Sequence, residues 1–140
     1  MTPIERIEAA TGPDRELDCL IAAEIGLHID GCRHSISEML TMFGIGSLVE
    51  TSMSNNSVLK TIPSYTVSID AALTLLPEGW AIDRLNMWPG APSCCDVVGT
   101  HDHNGGRWHN FSDGEARGKA ATPALALCAA ALRAREVANG

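Results

Sequence analysis

Arg117 and Lys119 stand two residues apart in "GEARGKAATPALALCAAALRAR" (114–135), just ahead of an alanine-rich helical stretch. The start of a helix already carries partial positive charge, so cations there are of the wrong sign for stability. An incoming anion would resolve the conflict. The unpaired N–H groups of a helix start donate readily to phosphate oxygens. On this reading Arg117 and Lys119 add mobile charge, Gly118 lets the backbone come close, and Thr122 offers a hydroxyl while capping the helix. Pro123 removes one donor from the cradle. The order of residues is not that of a Walker loop.

Aromatic side chains are scarce, at 4% of the chain. Tyr65, Trp80, Trp88 and Trp108 all fall in the strand-rich region or just before its helix. A purine ring stacks well on such faces. With Arg107, Arg117, Lys119 and Thr122 they form the candidate ligand-binding set. The competing reading is packing for Trp80 and Trp108, and plain solvation for Arg117 and Lys119.

A second cluster is "THDHNGGRWHN" (100–110). His101 and His103 share a face if extended, and His109 lies across the expected turn. Three imidazoles with Asp102 would suit zinc, though no general base presents itself for a catalytic metal. An exposed polar hairpin is the alternative. No other cofactor is implied, and no Gly-x-Ser-x-Gly elbow is present. The five cysteines, Cys19, Cys32, Cys94, Cys95 and Cys128, contain no CxxC pair and read as reduced thiols of a cytoplasmic protein.

These groups need elements to hold them. Thr2, Pro3 and Glu5 form a capping-box signature for a helix over 3–10, and a second helix is expected over about 13–25 with Leu17, Leu20, Ile21 and Ile25 in its stripe. Ser35 and Glu38 predict a helix over 36–43, stopped by Gly44 and Gly46. Residues 51–57 read as a loop and 58–62 as a strand. Ser68 caps a helix over 69–76, with Ile69, Ala72, Leu73 and Leu76 on one side. Strands follow at 80–88, 94–100 and 107–111, the last two joined by a turn at Asn104–Gly106. Thr122 and Pro123 open the final helix, with Leu125, Cys128, Ala129 and Leu132 toward the core. The order implies a single α+β domain over 1–140, helices packed on a small antiparallel sheet.

Three segments, "IERIEAATGPDRELD" (4–18), "YTVSIDAALTLLPEGW" (65–80) and "AATPALALCAAALRAR" (120–135), closely resemble the phage ABA-sandwich domain, a family of small phage and prophage proteins. The resemblance implies an α/β/α sandwich, and with the strand runs above the expected sheet has about three to four strands. It makes 27–62 a variable insertion, and it implies no reaction. The order helix, three strands, helix also occurs in double-stranded-RNA-binding domains, but those carry several lysines at the last helix's start.

The bulk properties bound the partners. A net charge of −7 argues against a broad nucleic-acid-binding face. No apolar run approaches a membrane span, and the N-terminus carries no apolar signal core. The expectation is a phage-encoded, non-enzymatic protein of the host cytoplasm, acting as a homo-oligomer. It would sequester a small anionic ligand, a nucleotide-derived immune signal such as a cyclic nucleotide or a cyclic ADP-ribose. The alternatives are a metal-dependent hydrolase using His101, His103 and His109, and an oligomeric protein-binding or structural accessory.

Overall fold

The computed structural model describes residues 1–99 and 114–139. Helix α1 (Pro3–Ala9) closes with the expected capping box: the Glu5 N–H donates to Thr2 Oγ1 at 3.1 Å, and the Thr2 N–H donates to the Glu5 carboxylate at 3.0 Å. Asp14 caps α2 (Arg15–Glu24), whose Leu17, Cys19, Ile21 and Ala22 are buried. Ser35 caps α3 (Ile36–Ser52). This helix does not stop at Gly44 as expected. Gly44 takes a φ of 81°, kinks the axis, and the helix resumes to bury Leu48 and Ser52. Glycine alone takes that φ without strain, so one residue redirects the helix instead of ending it.

Residues 58–62 are not a strand. Val58–Thr61 form a 3₁₀ turn, because local polar groups capture the backbone. Ser57 Oγ accepts from the Leu59 N–H at 3.0 Å, and the Thr61 hydroxyl donates to the Val58 carbonyl at 2.6 Å. Helix α4 (Ile69–Leu73), capped by Ser68, is shorter than the sequence pattern implies. After Leu73 the chain tightens into i→i+3 hydrogen bonds, Leu75 to Ala72 and Leu76 to Leu73. That tightening selects Ala72 and Leu75 as the buried pair and leaves Ile69 and Leu73 exposed.

Strands β1 (Trp80–Asn86), β2 (Ser93–Gly99) and β3 (Glu115–Ala120) form an antiparallel sheet in that spatial order. The expected strand at 107–111 and its turn lie outside the described residues. Among the described residues, the third strand is the segment read as a basic turn. In "EARGKA", Ala116, Gly118 and Ala120 alternate with Glu115, Arg117 and Lys119, a period of two that puts small residues on one face and charges on the other.

Helix α5 (Pro123–Asn139) begins where expected, with the Leu125 N–H donating to Thr122 Oγ1 at 3.2 Å. It is buried all round from Ala124 to Leu132. A helix without a polar face belongs inside a fold, and α5 packs against all three strands and also against α1 and α4. Its alanines allow unusually close approach. A Cβ placed on Gly118 would lie 2.2 Å from the Ala126 carbonyl oxygen and 2.6 Å from the Ala130 nitrogen, so β3 meets α5 backbone to backbone. The molecule is thus an α+β fold with helices packed on an antiparallel sheet that has three strands among the described residues.

Segment 27–62 joins the same core through Ile36, Leu48, Leu59 and Ile62. A polar lock ties its end back to α2. Buried Asp18 accepts from the Thr66 N–H at 2.9 Å and from the Thr66 hydroxyl at 2.8 Å. Arg15 donates to the Ile62 carbonyl at 2.8 Å and to Ser52 Oγ at 3.2 Å. Charged-group bonds of this kind are the strong ones, and their loss would leave a buried carboxylate unpaired.

Candidate functional site

At the start of α5, Ala124, Leu125 and Ala126 are buried, and the Thr122 hydroxyl is engaged as the cap. Arg117 and Lys119 do not flank this helix start in a loop; they belong to β3. Tyr65 is a core residue, 2% exposed, and burial pushes its hydroxyl's pKa up. Trp80 sits at the opposite end of α5. A Cβ on Gly114 would touch both Val137 Cγ1, at 2.9 Å, and Trp80 Cη2, at 3.4 Å. From Pro123 to Val137 the axis runs about 21 Å at 1.5 Å per residue. Trp80 therefore cannot roof the helix start. Arg107, Trp108, His101, His103 and His109 lie outside the described residues. Among the described residues, no three His, Cys, Asp or Glu side chains gather as a metal cage.

The sheet register brings other groups together. Residues directly opposite across antiparallel strands share a face. Cys95 stands between Leu85 and Gly118, and Val97 between Ile82 and Ala116, on the face against α5. The other face then carries three rows. Ala81, Val98 and Glu115 form one; Arg84, Asp96 and Arg117 the next; Asn86, Cys94 and Lys119 the last. A bulge leaves Asp83 unpaired between the first two rows. A surface hollow of about 530 Å³ opens over the middle, lined by Asp83, Arg84, Asp96, Glu115, Ala116 and Arg117.

This face is polarised along the strands. Glu115 and Asp83 lie toward one end. Arg117 and Lys119 lie toward the other, about 7 Å apart at the usual rise per residue. The β1–β2 connection begins just past Asn86, at that basic end, and carries Trp88, which is 67% exposed. Asp96 orients Arg117: Nε donates to Oδ1 at 2.5 Å and Nη2 to Oδ2 at 3.3 Å. That contact raises the pKa of the guanidinium above its ordinary value. Among the described residues, the side chains of Arg84 and Lys119 form no hydrogen bond or ion pair. Arg84 and Asp96 were absent from the sequence-based set. Their signal was register: only strand pairing sets them beside Arg117.

The outer edge of β3 is closed by a different pair. Glu8 of α1 and Arg133 of α5 form a two-bond ion pair, at 2.8 and 2.5 Å. Glu8 also accepts from the Lys119 N–H at 3.2 Å, and Arg133 donates to the Arg117 carbonyl at 2.7 Å. The Lys119 N–H and the Arg117 carbonyl of this edge are thereby engaged rather than left to pair with another chain. Arg133 holds the Glu8 carboxyl below its usual pKa. The adjacent cysteines split as their alternation requires: Cys94 is half-buried on the charged face, while Cys95 is buried against α5 with its thiol pushed up to about 11.

Compared with known proteins, the chain matches no family model, and it matches no curated protein and no solved structure.

Proposed function

We propose that the protein binds a small anionic ligand on the basic end of its charged sheet face, without catalysing a reaction. One observation carries the reading: β3 presents Arg117 and Lys119 side by side on an exposed surface, at the end where the β1–β2 turn holds out Trp88. Guanidinium and ammonium groups are suited to phosphate oxygens. Their separation suits two linked phosphates, and an exposed indole offers a stacking face for a base. Asp96 fixes the fork of Arg117 before any ligand arrives, which lowers the ordering cost of binding. The carboxylates Asp83 and Glu115 sit toward the other end and disfavour an anion there, so the ligand is confined to the Arg117–Lys119 end.

The resemblance of segments 4–18, 65–80 and 120–135 to phage ABA-sandwich proteins supplies the biological setting of this proposal. The ligand is then a nucleotide-derived signal of the infected bacterium, a cyclic nucleotide or a cyclic ADP-ribose. The protein counters defence by sequestering it in the host cytoplasm, which requires affinity and abundance only. Titration calorimetry and thermal shift against a panel of cyclic nucleotides and cyclic ADP-ribose isomers test this. Binding should be weakened by about 1–3 kcal/mol in Arg117→Ala and in Lys119→Ala. Absence of heat and of thermal shift with every member of the panel would overturn the reading.

A further inference from the structure

We infer that a second copy of this chain pairs with β1, antiparallel and about a two-fold axis between Asp83 and Arg84, joining the two sheets into one. The inference is independent of the ligand reading. It begins with an asymmetry between the two edges of the sheet. The β3 edge is occupied by Glu8 and Arg133. Among the described residues, no backbone hydrogen bond reaches the outer edge of β1.

The ladder fixes which groups that edge offers. Arg117 and Lys119 direct backbone groups outward, so Ala116, Gly118 and Ala120 bond to β2. Alternation then assigns Cys94, Asp96 and Val98 to bonds with β1, through Asn86, Arg84 and Ala81. Ile82 and Leu85 are left with outward N–H and C=O groups.

An edge bulge with charges ordinarily deters strand addition. Here both features are self-complementary. The unpaired Asp83 makes Ile82 and Leu85 three residues apart yet on the same, α5-packed face. A two-fold pairing centred between Asp83 and Arg84 sets Ile82 opposite Leu85 of the second copy, both with outward hydrogen-bonding groups. It sets Asp83 opposite Arg84 twice, carboxylate against guanidinium. It sets Ala81 opposite Asn86 on the charged face. It also brings Trp80 opposite Met87, which is 64% exposed in the single chain. Sliding the register by one residue would put Asp83 against Asp83 or Arg84 against Arg84, and would turn apolar residues to the wrong face. The charge order thus specifies both the partner and the register.

Sedimentation or light scattering on the full chain, over a concentration series, tests the proposal. The native protein should show the mass of two chains, and Asp83→Arg and Arg84→Asp should each raise the dissociation constant roughly tenfold or more. The double variant D83R/R84D should restore the dimer, since it exchanges the charges across the axis. Both positions are exposed, and circular dichroism checks that each variant folds. Should a single variant fail to fold, hydrogen exchange on the native chain replaces it: the Ile82 and Leu85 amides should gain protection as concentration rises. A mass of one chain throughout, indifference to the single charge changes, failure of the double variant to recover, or unprotected Ile82 and Leu85 amides would each overturn the proposal.

Discussion

Replacing Gly118 by alanine adds one methyl group at the place where β3 and α5 meet most closely. The added carbon would lie 2.2 Å from the Ala126 carbonyl oxygen, 2.6 Å from the Ala130 nitrogen and 3.0 Å from Ala129 Cβ. The first two are main-chain atoms of a helix buried on all sides, so no side chain can swing aside. Relief requires strand and helix to separate by about 1 Å, which opens the densest contact of the core on both flanks. Overpacking of a rigid core costs about 1–3 kcal/mol and sometimes more, and backbone-on-backbone contact places this change at or above the upper end. For a chain of this length, 3 kcal/mol corresponds to a fall in Tm of roughly 10 °C. Urea denaturation and thermal melting of Gly118→Ala measure it directly. Gly46→Ala is the control, because a Cβ there meets nothing within 4 Å and the residue is helical; it should be neutral or stabilise by up to about 1 kcal/mol. Equal stability of Gly118→Ala and the native chain would refute the close packing of β3 on α5.

Two further outcomes follow from the charge and thiol environments. Arg133 lowers the folded pKa of Glu8 from its ordinary 4.5, so the pair's stabilisation is complete above that value and is lost as pH falls through the lower folded pKa. Glu8→Gln should cost about 1 kcal/mol at neutral pH, given partial solvent screening, and should flatten the acid limb of the stability–pH curve below 4.5. Burial raises Cys19, pushes Cys95 up to about 11 and pushes Cys128 up to about 12, so iodoacetamide at mildly alkaline pH should label only Cys94 and Cys32 in the folded protein. Mass spectrometry reads this, and labelling of Cys128 without denaturant would contradict its buried place.

The helices were legible because their starts are written locally. Thr2–Glu5, Ser35–Glu38, Ser68 and Thr122–Pro123 are signals within four residues, and each marks a real helix start. Where tertiary context decided, the local reading failed. Gly44 looks like a stop, but the apolar residues beyond it can still be buried, so the helix bends and continues. "VLKTI" has strand-forming residues, yet Ser57 and Thr61 hold it in a tight turn. "EARGKA" escaped because its inward residues are small, and alanine and glycine do not announce a strand. They are small because α5 leaves no room for more. That misreading moved the candidate site: Arg117 and Lys119 were singled out as neighbours of a helix start, whereas they are members of a sheet face. Arg84 and Asp96 could not be found without the register, which is a long-range property. Gly118 was read as letting an anion come close to the backbone; in the fold it is β3 that comes close to α5 there.

Ligand binding on the β3 face can be read residue by residue in a ¹H–¹⁵N NMR titration of the native chain with the cyclic nucleotide and cyclic ADP-ribose panel. A binding member should shift the Arg117 and Lys119 amides and the Trp88 indole N–H together, with smaller changes at Arg84 and Asp96. Shifts confined to the first turn of α5, or an unaltered β3 at saturating ligand, would contradict binding on that face.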